Sequence, residues 1–142
     1  MSFLLDTNVI SEWNKDVVDP SLRQWIVNTS EEELFLSVVT IGELRYGIER
    51  LPAGRRRRDL EAWFSLEIRE RFSGRILAVD IDTADVFGQI LARRNVSRQS
   101  SVTMDVWIAA TAVVHDLTVV TRNTRDFEAL DVPLLNPWLE RE

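Results

Sequence analysis

The sequence predicts a single-domain α/β fold, a parallel five-stranded sheet flanked by helices on both faces. Three observations carry that reading. Short apolar, β-rich runs alternate with stretches of helical periodicity along the chain, the pattern of parallel strands joined by crossover helices. Leu4-Leu5 runs into Asp6 and then directly into a helix, as happens at the carboxyl edge of such a sheet. No repeat, low-complexity tract or linker composition divides the 142 residues, so residues 1–142 read as one domain.

In order, residues 2–5 form a buried first strand and residues 7–14 a first helix. Asp19, as N-cap, and Pro20, at the first helical position, open a second helix. Residues 34–38 are rich in β-formers and make the second strand. Ile41, Leu44, Ile48 and Leu51 then recur at helical spacing until Pro52. Gly54 begins an arginine-rich turn into a long amphipathic helix that reaches about Phe72 and is broken by Gly74. Residues 76–79 form the third strand. Asp82 is predicted to cap a helix carrying Val86, Ile90 and Leu91, fading near Ser97. Residues 98–103 are polar and read as a loop beside the site. Residues 102–114 are apolar and alanine-rich, with Asp105 among them. Residues 117–120 form the fourth strand, and Leu134-Leu135, between Pro133 and Pro137, a short fifth.

Composition narrows the function. With 45% hydrophobic residues and five tryptophans, the chain can build a core that buries roughly 70% of its unfolded surface. No apolar run approaches the roughly 20 residues of a membrane span. The start of the chain lacks a basic, apolar and cleavable segment, and there is no cysteine, so a cytoplasmic protein is expected. The net charge of −6 argues against broad nonspecific binding to nucleic acid. Sixteen of the seventeen basic residues are arginine, with an unbroken run at Arg55 to Arg58 and a second group at Arg93, Arg94 and Arg98. The run reads either as a solvated helix start or as a contact for phosphates or acidic peptide, to which arginine is suited.

Several chemistries are excluded. His115 is the only histidine, so a zinc site of several histidines or cysteines is impossible; its place after an alanine-rich helix suits the helix C-terminus. The five glycines form neither G-x-G nor a P-loop, so no backbone cradle for a dinucleotide or nucleotide is present. Lys15, the single lysine, lies too early to act as a late-strand phosphate lysine. Carboxylates remain.

Taken singly, Asp6 reads equally well as an N-cap, Glu43 as an exposed helix residue, and Asp126 as a charge at the positive end of the last helix. Asp105 is harder to dismiss. Its neighbours are nearly all apolar, aspartate is a poor helix former, and a buried carboxylate needs a partner, an arginine or a metal. If the first and fourth strands are neighbours, Asp6, Glu43, Asp105 and Asp126 all converge on one end of the sheet. Hard oxygen ligands with open positions suit Mg2+ or Mn2+.

Four segments carry a specific resemblance: Leu4-Leu5-Asp6-Thr7-Asn8-Val9-Ile10-Ser11-Glu12, Thr40-Ile41-Gly42-Glu43-Leu44-Arg45-Tyr46-Gly47-Ile48, Asp105-Val106-Trp107-Ile108-Ala109-Ala110-Thr111-Ala112 and Thr121-Arg122-Asn123-Thr124-Arg125-Asp126-Phe127. In order and spacing the chain resembles a PIN-domain ribonuclease of the VapC/FitB type, the toxin of a type II toxin–antitoxin pair. The resemblance implies a metal-dependent endoribonuclease in which Asp6, Glu43 and Asp105 fall on an acidic triad. Asp126 falls on a fourth, less uniform acid, and some relatives carry aspartate at the position of Asn123. Trp107 is bulkier than the aliphatic residue expected there. On this reading Asp6 and Asp105 hold Mg2+ or Mn2+, directly or through water. Glu43 and Asp126 position a water or a second metal, and Asn8, Thr121 and Asn123 supply neutral hydrogen bonds. The resemblance also implies an RNA substrate, an antitoxin protein that covers the site with an arginine, and a homodimer through apolar helical surface containing some of Trp13, Trp25 and Trp63. Those tryptophans read otherwise as core. The rival functions are a DNA-directed or structure-specific PIN nuclease and a catalytically silent module whose acids pair with arginines.

Overall fold

The structure, a computed structural model, describes residues 1–94 and 100–138. At its centre β1 (Phe3–Leu5) lies between β2 (Leu34–Ser37) and β4 (Thr118–Val120), with β3 (Ile76–Leu77) and β5 (Leu134–Leu135) at the edges, in the order β3-β2-β1-β4-β5. Every pairing is parallel, and Leu4 stands opposite Phe35 on one side and Val119 on the other. Alternate strand residues face opposite sides of a sheet. Accordingly Leu5 and Val120 enter one core with Ile10, Leu22, Leu36 and Phe72. Leu4 and Val119 enter a second core with Val106, Ile108, Ala109 and Phe127. The helices are α1 (Thr7–Trp13), α2 (Pro20–Val27), α3 (Val38–Glu49), α4 (Arg55–Trp63), α5 (Ile81–Arg94), α6 (Ser100–His115) and α7 (Thr124–Glu128), with a short 3₁₀ turn at Glu31–Glu33. The expected layering, helices on both faces of a parallel sheet, is therefore present.

The path places the functional edge. From β1 the chain builds outward through β2 and β3, then returns to β4 on the opposite side of β1. The order of strands reverses between β1 and β4, and a crevice forms outside the carboxyl ends of strands at such a reversal.

Local chemistry trims several elements. Asp19 caps α2 as expected, accepting from Ser21 N at 3.0 Å and Leu22 N at 3.1 Å. β2 ends at Ser37, whose hydroxyl accepts from Val39 N at 3.0 Å and starts α3, so Val38 leaves the strand despite its β preference. β3 stops at Leu77, short of the expected residue 79. The cap of α5 is Asp80 and not Asp82: Asp80 Oδ1 accepts from Thr83 N at 2.9 Å and from Thr83 Oγ1 at 2.8 Å. Asp82 lies in the first turn, where its charge still complements the helix dipole.

The long helix after Gly54 is regular to Trp63 and then widens to π geometry over Phe64–Glu70. Gly74, at φ +84°, makes the turn out, a conformation in which glycine carries no side-chain penalty. Residues 100–103 belong to α6 and are not a loop; the helical run expected over residues 102–114 extends back through them. Residues 98–99 and the expected fading of α5 near Ser97 lie outside the described residues.

Two aromatic questions find physical answers. Trp107 stacks on Phe87 with ring centroids 3.6 Å apart and planes 8° from parallel, so the bulk on α6 is matched by an aromatic on α5. Trp13, Trp25 and Trp63 are half-buried against the first core, and Trp25 meets Phe3 edge-on at 5.1 Å. No helix among the described residues is long and apolar enough to cross a membrane.

Candidate active site

Asp6 follows β1 and extends the central ladder by one step, its N–H donating to Val120 O at 2.9 Å. That bond fixes the carboxylate at the sheet edge, 7% exposed. Oδ1 accepts from Thr7 N at 2.8 Å, so Asp6 does cap α1. Oδ2 accepts from Thr121 Oγ1 at 2.8 Å and from Asn8 Nδ2 at 3.3 Å. Burial raises the Asp6 pKa most, the Thr121 and Thr7 bonds oppose the rise, and the Asp126 charge adds to it.

Thr121 is the hub of the neutral groups. Fully buried at the end of β4, its hydroxyl also accepts from Asn8 Nδ2 at 3.1 Å and from Asn123 N at 3.0 Å. Asn8 Oδ1 accepts from Arg122 N at 3.3 Å, tying α1 to the turn after β4. Thr121→Val keeps the shape and removes every one of these hydroxyl bonds. It is expected to cost about 1–3 kcal/mol, read as a lower urea midpoint at unchanged slope; an unaltered midpoint would contradict this account of the hub.

Glu43, in the second turn of α3, is half-buried and accepts from Thr7 Oγ1. Burial raises its pKa, the Thr7 bond opposes this, and the Asp6 charge adds to the rise. Asp105, near the start of α6, is also half-buried. Its pKa is pushed up to about 7, first by burial and then by the charges of Asp6, Asp126 and Glu43. Among the described residues no arginine, lysine or histidine forms an ion pair with Asp105, Asp6 or Glu43.

Asp6, Glu43 and Asp105 line one cavity of about 360 Å3, with Thr7, Asn8 and Asn123. Asn123 therefore faces this space, whereas Asp126 is exposed on α7, is not part of the lining, and reaches Asp6 and Asp105 through its field. Among the described residues no three carboxylates already form a closed cage for one ion. Mg2+ does not require one, because it keeps several waters and takes one or two carboxylates. The donors are hard oxygens whose mutual repulsion a divalent cation would relieve, so they fit Mg2+ or Mn2+.

The rim holds residues that the sequence reading did not assign to the site. Glu12, 7% exposed, pairs with Lys15 at 2.8 Å and accepts from Asp19 N at 3.1 Å. The Lys15 bond holds the Glu12 carboxyl below its usual range. Glu12, Lys15 and Arg122 all line the cavity. The i, i+3 spacing of Glu12, in the last turn of α1, and Lys15, just past its end, was the available signal.

Comparison with known proteins bears on this geometry. The PIN domain family matches residues 3–133. The chain is 38% identical over 135 residues to VapC ribonuclease Y4jK of Sinorhizobium fredii, covering 95% of this chain and 96% of that protein. It is also 38% identical over 135 residues to toxin FitB of Neisseria gonorrhoeae, covering 95% and 97%. A solved structure of FitAB bound to an IR36 DNA fragment superposes with a TM-score of 0.88 at 35% identity, covering 99% of this chain and 98% of that one. The strand order, the acids at its reversal and these likenesses agree: the chain belongs to the PIN-domain family, in its VapC/FitB branch.

Proposed function

We propose that this protein is a Mg2+- or Mn2+-dependent endoribonuclease, the toxin half of a toxin–antitoxin pair, with residues 1–142 acting as one nuclease domain. The observation that carries the reading is the meeting of Asp6, Glu43 and Asp105 in one water-accessible cavity with no cation paired to them among the described residues. Asp6 and Asp105 hold the metal, directly or through water. Glu43, oriented by Thr7, and the field of Asp126 position a water or a second ion. Thr121, Asn8 and the Asn123 backbone hold Asp6 in its rotamer. When bound, the metal lowers the pKa of a water and offsets charge on the scissile phosphate.

The partners follow from the same chemistry. RNA is the substrate, and the acidic cavity admits its phosphodiester, as it would that of DNA, only when the charge of the acids is offset. The relatives' ribonuclease name supports this choice. A protein antitoxin closes the site by placing an arginine among the acids, and the FitAB neighbour supports a protein partner. The protein acts in the cytoplasm as a homodimer.

Cleavage of RNA and DNA oligonucleotides, side by side, tests the proposal. RNA is expected to be cut with Mg2+ or Mn2+, and cutting to cease with chelator. Preference for DNA, or activity unaffected by chelator, would defeat it. Calorimetry with Mn2+ separates the enzyme from a silent module, which would give no saturable heat.

A further inference from the structure

The acid cavity continues into a second cleft of about 770 Å3, and Ser11 and Lys15 line both. The far wall is α4, which presents Arg55, Arg56 and Trp63. Asp16 and Asp59 also line this cleft. Of its basic side chains, Lys15 is tied to Glu12 at 2.8 Å, whereas Arg55 and Arg56 are not structural staples. Within the arginine run, Arg57 alone is committed to the fold among the described residues. Its guanidinium donates to Glu49 Oε1 at 2.9 Å and to Leu51 O at 3.1 Å, and its side chain is 26% exposed. Arg55 is 90% exposed and stands 3.9 Å from Asp59, a pairing worth little in water. Arg56 is exposed and has no carboxylate partner among the described residues.

Helix energetics disfavours this placement, because cations at a helix N-terminus oppose the macrodipole. Arg55 and Arg56 nonetheless occupy the first turn of α4, and the half-buried indole of Trp63, at the other end of that helix, lines the same cleft. Guanidinium groups matched to phosphates, together with an aromatic face along the same cleft, make a single-strand binding surface.

We propose that this cleft binds the single-stranded RNA flanking the scissile phosphate. The inference rests on the nuclease reading of the adjoining cavity. Arg55 and Arg56 take backbone phosphates, Trp63 offers its ring to a base, and Lys15 marks the boundary where the strand passes into the acid cavity. Continuity through Ser11 and Lys15 sets the path, and the arginines set the sign of the ligand.

Fluorescence anisotropy of a labelled single-stranded RNA of about 12 nucleotides, in chelator so that the probe survives, tests the cleft on the full chain. Arg55→Ala with Arg56→Ala is expected to weaken binding roughly tenfold or more at low salt. The slope of log affinity against log salt should also shrink by about 1.4, some 0.7 for each single-strand phosphate no longer neutralised. Arg50→Ala with Arg69→Ala removes the same charge from exposed positions outside the cleft and should leave the slope unchanged. Trp63→Leu, checked for folding by circular dichroism, should cost roughly tenfold. Lys15 is left intact because it neutralises buried Glu12.

A parent that fails to bind the probe, or equal losses in both arginine pairs, overturns the proposal. So does displacement of the cleft effect onto an acidic peptide with RNA affinity unchanged. Cleavage with Mg2+ is read separately. A parent that binds through the cleft but never cuts RNA removes the nuclease reading and keeps the RNA cleft. A parent that cuts while the cleft variant binds normally does the reverse.

Discussion

Asp105→Asn is expected to abolish metal-dependent cleavage while making the metal-free protein more stable at pH 8. A carboxylate on α6 is opposed by burial and by the charges of Asp6, Asp126 and Glu43, and no cation is paired with it among the described residues. Asparagine keeps the shape and removes the repulsion. Water reaches Asp105 and screens the effect, so the gain is roughly 1 kcal/mol, or about 3–6 °C in melting temperature. The activity loss should exceed the roughly 10- to 100-fold typical of changing a group that merely supports a metal ligand. Asp6→Asn should lose activity without that gain, because its Oδ2 accepts from both Thr121 and Asn8 and an amide nitrogen there would face donors. Thermal melts and cleavage rates of the two variants decide the matter. A less stable Asp105→Asn that still cuts RNA would show a structural acid, not a ligand.

Metal affinity is expected to fall about tenfold for each pH unit below 7, since the proton held by Asp105 must leave before a cation enters. The sign for stability is opposite. The Asp105 pKa stands at about 7 in the folded chain, against an ordinary 3.8. Between those values the native state binds more protons than the unfolded state, so metal-free stability should fall as pH rises from about 4 to 7 and level off above. Asp6 and Glu43, also raised, push the same way, and the three titrate as a coupled set. Millimolar Mn2+ should restore stability above pH 7 and add little at pH 5. Asp105→Asn should flatten the metal-free curve. Calorimetry in buffers of differing ionisation enthalpy reads the proton release directly. Metal binding that is indifferent to pH between 5 and 8 would remove Asp105 from the ligand set.

The fold was legible because its signals are local. Leu4-Leu5 into Asp6, Asp19-Pro20 and the prolines around Leu134-Leu135 each announce an element by short-range chemistry, and the alternation of types implies the sheet. The convergence of Asp6, Glu43 and Asp105 was legible only as a consequence of the strand order, which brings β1 beside β4. Features set by side-chain choice were not. Asp80 and Asp82 are equally plausible caps in one dimension; Thr83 selects Asp80. The Thr7–Glu43 bond spans 36 positions and has no periodic trace. Lys15 lies too early for a late-strand lysine, yet it follows α1, which starts at the sheet edge, and its pairing with Glu12 holds it at the cavity rim. Asn123 and Asp126 share a short segment, and only the turn into α7 puts one in the lining and the other outside it.

The bond from Thr121 to Asp6 joins residues 115 apart, and Asp6 reaches its place by pairing with Val120. The seat of Asp6 therefore exists only once the segment carrying β4, distant in the chain, has come to lie beside β1. Loop closure over that distance is slow compared with local helix formation. Assembly of the acidic edge is thus a late event of folding: until β4 docks on β1, Asp6 is present but unseated.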